Sequence, residues 1–484
     1  MSVTKNYLYN VLLIISNTIF PIITFPYISR ILMPEYLGRV YFVQGVVAYF
    51  LLLAVLGAPN YGIKELSKAK SVGDWEEFKK IYTELFLMTI LSSIVSFCFL
   101  LFLVNLYGKF TDEKILFYVF GIQVLFECFH INYFFIVMED HKRRLIRSFT
   151  IRVISLVFLF TYIKEPKDYI LYALLIVVPE VLARIIDVVS MKKYMTFKFG
   201  ELNFKRHVKS MSIIFLYLFT IGIYGSIDTT MLGIMIGEKE VGLYSAAVKM
   251  YKMVLPVILT LGIVLSPRII GAIKKKELSN IFKNLDIFVD YNFIVGIPAT
   301  ILMVLLSEEF TLLFSGEKFQ GAIVTMQIMS PCLFFLALGS FIGGQILLPN
   351  NLEKTILKIS LFGVVLNIGL NYFMIPVYLR NGAALATLIT EIIIALMKIR
   401  EAKKIYSQYN FFNYDRIKII AVNIFVSVLI ILTLDRIELN NLIKLFITPL
   451  IYGIVYFIFL IILKVERVIE WKKILFSKLK IRIG

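Results

Sequence analysis

NYLYNVLLIISNTIFPIITFPYISRILMPEYLGRVYFVQGVVAYFLLLAVLGAPNYGI, residues 6–63, is the stretch from which the fold follows. No charged residue lies between Lys5 and Arg30, and none between Arg39 and Lys64, so each gap is 24 residues long. At a helical rise of about 1.5 Å per residue, either gap crosses a hydrocarbon core of roughly 30 Å. The stretch therefore reads as two membrane-crossing helices joined by a short turn, Arg30-Ile-Leu-Met-Pro-Glu-Tyr-Leu-Gly-Arg39. Pro21, Pro26 and Pro59 fall inside the two segments. Membrane helices tolerate proline because neighbouring helices re-satisfy the freed carbonyls, so bent helices are expected.

The whole chain shares this character. Of its 484 residues 59% are hydrophobic and 17% charged, at a mean hydropathy of +0.83. A soluble globular domain sits nearer half apolar with about a quarter charged. The expected class is an all-α polytopic membrane protein. A net charge of +18 would suit nucleic-acid binding only if the basic residues shared a soluble face, and no soluble domain exists to carry one. Cys98, Cys128 and Cys332 lie in apolar runs without paired spacing, which implies neither a disulfide framework nor a zinc site. They read as packing residues. The first apolar run is too long for a signal segment and reads as a retained helix.

Apolar runs between charge clusters give fourteen spans: 6–29, 40–63, 85–108, 115–138, 145–163, 169–190, 208–236, 241–266, 285–307, 320–348, 355–377, 382–399, 417–434 and 443–463. With a cytoplasmic N-terminus, 37 of the 51 Lys and Arg residues fall in inner segments and 11 in outer turns. That asymmetry favours fourteen spans with both termini inside. The basic, partly apolar tail from Val465 to Arg482 suits a helix on the inner membrane surface, and Ser71 to Lys80 a shorter one. The turn Glu35-Tyr-Leu-Gly38 recurs as Lys239-Glu-Val-Gly242 at an offset of 204, as expected if spans 1–6 and 7–12 are related bundles. Spans 13 and 14 carry no charge and read as peripheral additions.

Ionisable groups at bilayer depth cost about 2.5 to 3.5 kcal/mol each on insertion scales, so they face a cavity or a partner. The informative set is Glu127, Arg147, Arg152, Glu180, Arg184, Asp187, Asp228, Lys249, Lys252 and Glu391. Lys249 and Lys252 share a helix face with Ser245 and Pro256. Asp228 and Lys249 both lie roughly 12 to 14 Å from the outer turn, where they can meet as a salt bridge or form a substrate or ion site. Glu180, Arg184 and Asp187 follow i, i+4, i+7 spacing, which suits a ladder satisfied within one helix. Arg152 has no acid on its own helix, although Glu180 can neutralise it. Glu127 reads as a neutral or paired carboxylate, His130 as a hydrogen-bonded packing residue, and Asn367 with Asn371 as interhelical hydrogen-bonding groups.

The chain has no phosphate-binding G-x-x-x-x-G-K-[ST] loop, no HExxH and no Ser-His-Asp order. With three histidines, two of them (His141 and His207) in basic loops, it reads as a transporter rather than an enzyme. No metal or cofactor is expected.

The stretch Pro21 to Phe42, with Gly57-Ala-Pro-Asn-Tyr-Gly-Ile-Lys-Glu-Leu66, Asp228-Thr-Thr-Met-Leu-Gly233, Val241-Gly-Leu-Tyr-Ser-Ala-Ala-Val-Lys249 and Ser266-Pro-Arg268, resembles bacterial O-antigen and capsule repeat-unit flippases. These belong to the multidrug/oligosaccharidyl-lipid/polysaccharide (MOP) exporter superfamily. Met33 stands where such proteins commonly have Gly.

The resemblance implies a V-shaped pair of six-helix lobes plus two C-terminal helices, divided as 1–207, 208–404 and 405–484. It also implies alternating access for an undecaprenyl-pyrophosphate-linked oligosaccharide moving from inner to outer leaflet. A diphosphate needs cations in a hydrated cavity, Arg above all because it binds phosphate oxygens in pairs. The expected cation set is Arg30, Arg152, Arg184, Lys249, Lys252 and Arg268, with Asp228 and Glu127 balancing charge or coupling an ion. Membrane lipid, a polysaccharide polymerase and glycosyltransferases are the partners implied. A Na+ or H+ coupled multidrug antiporter and a lipid II flippase are the alternatives. A membrane glycosyltransferase would need a long outer loop, and the outer turns are too short.

Overall fold

The computed structural model describes residues 3–192, 194–434 and 440–473. It is helical throughout, with no strand among the described residues. The helices used below are α1 (Val3–Val55), α2 (Ala58–Ser71), α3 (Trp75–Leu106), α4 (Lys114–Leu125), α5 (His141–Tyr162), α6 (Tyr169–Met191), α7 (Lys205–Met235) and α8 (Glu238–Lys275). They continue with α9 (Leu278–Tyr291), α10 (Glu353–Tyr378), α11 (Arg380–Ile405), α12 (Tyr414–Leu434) and α13 (Asn441–Ile462). Among the described residues, thirteen helical stretches are long and apolar enough to cross a membrane.

The difference from fourteen lies in the opening stretch. The span expected at 6–29, from Ile19 onward, and the one expected at 40–63 fall in one 53-residue stretch, Ile19–Ser71, and the turn expected over Arg30 to Arg39 is absent as a loop. One residue makes the break: Met33, at φ 58 and ψ 170, leaves helical geometry and Pro34 re-enters it. Proline suits that place because a first-turn N–H has no helical partner to lose. A second break, at Leu56 and Gly57, both with positive φ, separates α1 from α2.

The surface helix expected over Ser71 to Lys80 is instead a turn followed by the start of α3. The Asp74 carboxylate accepts from the Glu77 N–H at 2.9 Å and caps a helix that then runs unbroken to Leu106. Of the basic tail, 466–473 is helical, and Val465 and Val468 are buried; the rest lies outside the described residues.

The packing divides the chain into two compact units, 1–245 and 246–484. In the first, α1 packs beside α7 through small residues. Gly45 meets Thr229, Gly233 meets Phe42, and Gly57 meets Ile214, which leaves no room for a side chain at those glycines. The two recurrent turns also meet. A Cβ at Gly38 would overlap the carbonyl of Glu238, and one at Gly242 would overlap the carbonyl of Pro34. Gly38 and Gly242 are 204 residues apart, as are Pro34 and Glu238, so the contact is reciprocal. A second centre of this unit is aromatic: Tyr82 and Phe134 lie 5.4 Å apart and Phe86 and Phe197 5.0 Å apart, around buried Phe78, Tyr133 and Phe135.

The second unit is built round Phe288 and Phe341, stacked at 3.6 Å, with Leu285, Ile342 and Ile346. Ile419, Val422 and Val426 of α12 and Tyr452 and Tyr456 of α13 belong to the same core, so the spans read as peripheral share its interior. Arg416, fully buried, donates to Asp290 at 2.8 Å, to Asp286 at 2.7 Å and to the Asn410 carbonyl at 2.9 Å. Arg467 joins the same Asp290 at 3.1 Å. Exposed Leu91, Val95, Phe102, Val365, Phe373 and Phe446 give both units apolar outer surfaces suited to lipid. Of the cysteines, Cys128 and Cys332 are buried and Cys98 is exposed, so the packing role expected of all three holds for two.

Candidate functional site

Span 4 is not one helix. The α4 helix ends at Leu125, Phe126–Phe129 forms a 3-10 turn, and a short helix resumes at Asn132. Nothing in Phe126-Glu-Cys-Phe-His130 announces the break, since it contains neither Gly nor Pro. Its effect is to aim Glu127 at α6. Arg184 holds that carboxylate at 2.6 Å and the Gln123 carbonyl at 3.0 Å, and His130 Nδ1 lies 2.8 Å from the other carboxylate oxygen. Broken helices at membrane depth recur where a transporter needs irregular backbone to line a cavity.

The ladder expected within α6 does not form. Arg184 pairs with Glu127 across to span 4, and Asp187 pairs with Arg147 of α5, while Glu180 is exposed. Both interhelical pairs are nearly buried, with side-chain exposures between 5% and 11%. The bent path of span 4 and the approach of α5 outcompete the i, i+4 geometry. A buried carboxylate is stabilised far more by a desolvated guanidinium than by a solvated one.

Arg152, half-buried on α5, differs. Its Nη1 donates to the Ser16 hydroxyl at 2.8 Å, and the guanidinium lies 5.9 Å from the Phe20 ring. Among the described residues its side-chain hydrogen bond goes to a neutral group rather than an acid. Glu180 acts on it only electrostatically. Arg30 is exposed at the end of the first segment of α1. Buried Asp228, on α7, accepts a hydrogen bond from Tyr244 of α8, and Tyr49 meets Thr230 at 3.1 Å.

In the second unit, Lys249 is half-buried and Lys252 exposed on α8, close enough for their charges to repel. Arg268 is exposed further along the same helix. The α8 helix holds Pro256 and Pro267 and has 38 residues. That is about 57 Å of helix, well beyond the hydrocarbon thickness. Glu391 is buried on α11, and Asn371 donates to Asn367 at 3.0 Å, with Asn367 donating to Thr387 at 3.4 Å.

Charged groups absent from the sequence-based set also have defined partners. Buried Glu84 accepts from the Asn203 N–H, Arg206 and His207, whose other ring nitrogen meets Tyr61 at 3.0 Å. Asp286 and Asp290, one helical turn apart in an apolar span, were a legible signal for the Arg416 cluster. At the opposite end of the first unit, Glu113 is 4% exposed and pairs with Arg39 at 3.1 Å. Burial, with Glu238, Asp112 and Glu35 nearby, outweighs Arg39 and pushes its carboxyl up to about 7. Close by, Lys109 donates to the carbonyls of Gly233 and Ile234 at 2.7 and 2.6 Å, closing the C-terminus of α7.

Known proteins share this architecture. Over 94% of this chain and 98% of theirs, the fold matches the lipid II flippase MurJ in an inward closed conformation, at a TM-score of 0.75 and 18% identity. An inward-facing multidrug resistance MATE family transporter of the MOP superfamily matches over 81% of this chain and 95% of its own, at a TM-score of 0.66 and 15% identity. By sequence the chain is similar to proteins that carry the name O-antigen transporter. One from Shigella dysenteriae is 23% identical over 80% of this chain and 97% of its own length, and one from Escherichia coli (strain K12) 22% identical over 83% and 98%. The profile of the polysaccharide biosynthesis protein family matches residues 3–271, more than half of the chain, and the protein belongs to that family.

Proposed function

We propose that this protein is a flippase that moves undecaprenyl-pyrophosphate-linked oligosaccharide repeat units from the inner to the outer leaflet of the bacterial cytoplasmic membrane, for cell-surface polysaccharide biosynthesis. Its family membership, the transporter names of its relatives and a fold like those of MurJ and the MATE transporter support this reading.

The observation that carries it is Arg152. A guanidinium at bilayer depth costs several kcal/mol unless something anionic meets it, and here its side-chain hydrogen bond goes to a hydroxyl. A diphosphate supplies the missing charge, and Arg meets it with two parallel donors. In this proposal Arg30, Arg152, Lys249, Lys252 and Arg268 meet the diphosphate. Arg184 is held by Glu127, and Asp228 balances the empty state. The repeat halves 1–207 and 208–404 alternate in access, 405–484 completes the chain, and both termini are cytoplasmic. The polyprenyl tail stays in lipid. Glycosyltransferases supply the substrate and a polymerase consumes it, so the protein itself breaks no covalent bond.

Deletion tests the reading. Lipid-linked repeat units should accumulate on the inner leaflet, and unaltered surface polysaccharide would overturn it. Restoration of export by wild type but not by Arg152→Ala ties the effect to the site. Export of cationic dyes that depends on Asp228 or Glu127 would favour an ion-coupled antiporter instead.

A further inference from the structure

The start of α5 carries more positive charge than the pairs described above absorb: Lys142, Arg143, Arg144, Arg147 and Arg152 within eleven residues. Beside it lies an open pocket of about 470 Å³. Lys142, Arg143 and Arg147 supply its cations, Asp140 one acid, and Ile146, Ile151 and Ile186 its apolar wall. Ile151 lies about 12 Å along the helix axis from Arg143. The pocket is therefore net cationic toward the helix start, where Asp140 offsets one of the three cations, and aliphatic beyond. Ile146 and Ile186 are 54% and 44% exposed, so the wall is open to its surroundings.

Two of the cations are already paired with acids. Arg143 is held by Asp140 at 3.3 Å and lies against the rings of Phe135 and Tyr194, yet its buried Nη1 has no hydrogen-bond partner among the described residues. Arg147 faces Asp187, and its buried Nε is likewise without one. Those nitrogens are enclosed, so the charge the pocket presents is that of exposed Lys142 and of the open edges of the Arg143 and Arg147 guanidinium groups. The basic loop lies on the side that the Lys and Arg distribution assigns to the cytoplasm.

We propose that this pocket binds the phosphate headgroup of an anionic phospholipid of the inner leaflet, with its acyl chains along Ile146, Ile151 and Ile186. A net cationic start and an aliphatic wall match the headgroup and the acyl chains of such a lipid. The proposal is independent of the cargo assigned above.

Native mass spectrometry of the full chain with phosphatidylglycerol, phosphatidylcholine and undecaprenyl diphosphate tests it. Phosphatidylglycerol should be retained in preference to phosphatidylcholine. The double variant Lys142→Gln/Arg143→Gln should weaken its binding about 30-fold, roughly fivefold for each cation removed. Thr150→Trp, which fills the pocket without touching a charge, should weaken it as well and covers the case of a poorly folded double variant. Equal retention of the two phospholipids, or unchanged affinity in the folded variants, would overturn the proposal. So would one-for-one displacement of phosphatidylglycerol by undecaprenyl diphosphate, which would assign the pocket to lipid-linked diphosphate.

Discussion

Arg416 in the second unit and Arg152 in the first are both guanidinium groups withdrawn from water, and they are held in opposite ways. Arg416 is fully enclosed by Asp286, Asp290, the Asn410 carbonyl and the Tyr409 hydroxyl, so its charge and most of its donors are satisfied by the protein. Arg152 is half-buried and rests on Ser16. Burial alone therefore does not mark a binding site. The useful distinction is whether the fold already supplies the counter-charge: where it does, the residue holds helices together, and where it does not, a ligand can.

The largest expected effect belongs to the enclosed group. Arg416→Ala leaves buried Asp290 with Arg467 alone and the partly exposed Asp286 with the Tyr409 hydroxyl, so the loss should lie near the lower end, about 3 kcal/mol, of what breaking a buried pair costs. Thermal unfolding of the purified protein in detergent should show a large loss, and expression should fall with it. A stable Arg416→Ala protein that fails only in export would break the comparison. Arg152→Ala should do the reverse. Losing a charge-assisted contact to a diphosphate lowers export about 10- to 100-fold, while the neutral hydrogen bond to Ser16 is worth only about 1 kcal/mol of stability. Arg152→Lys keeps the charge but not the paired donors and should retain part of the activity, read as surface polysaccharide per cell.

Glu113 is an intermediate case, a buried acid with one cation. Its carboxyl is raised from 4.5 to about 7, so the folded protein binds a proton more tightly than the unfolded chain does. Its contribution to stability is complete below about 4.5 and is lost as pH rises to 7, by at most about 3 kcal/mol over the whole window. Unfolding temperatures measured from pH 5 to 8 should fall for the wild type and flatten for Glu113→Gln. An unchanged slope in the variant would show that Arg39 satisfies Glu113 as fully as the aspartates satisfy Arg416.

Much of the architecture was legible because each span needs only about 20 uncharged residues in a row, a signal that survives any detail of packing. The pairings were not. Glu180, Arg184 and Asp187 look self-satisfied on one helix, and only the break after Leu125, unannounced by Gly or Pro, brings Glu127 to Arg184. Asp286 and Asp290 carried a readable one-turn spacing, but nothing local names their partner, which is 126 residues away for Asp290. The recurrent turns were readable as sequence, and only the fold shows Gly38 against Glu238 and Gly242 against Pro34.

The smallest effect concerns backbone rather than charge. Met33 takes φ 58 and ψ 170, a region that L side chains rarely enter, and it stands where the resembled flippases commonly carry glycine. The cost is borne because Pro34 fixes the start of the next helical segment and Gly38 is pinned against Glu238, so the chain has no other residue at which to turn. Met33→Gly removes the clash but also loosens the unfolded chain, and Met33 is 38% exposed, so little packing is lost. The net should be stabilisation by about 1 kcal/mol, read as a higher midpoint in thermal unfolding. The same substitution supplies a background for the main comparison. If Arg152→Ala acts on cargo binding, adding Met33→Gly should raise its unfolding midpoint and leave its export as low as before. Recovery of export together with stability would place Arg152 with Arg416, among the residues that hold the fold.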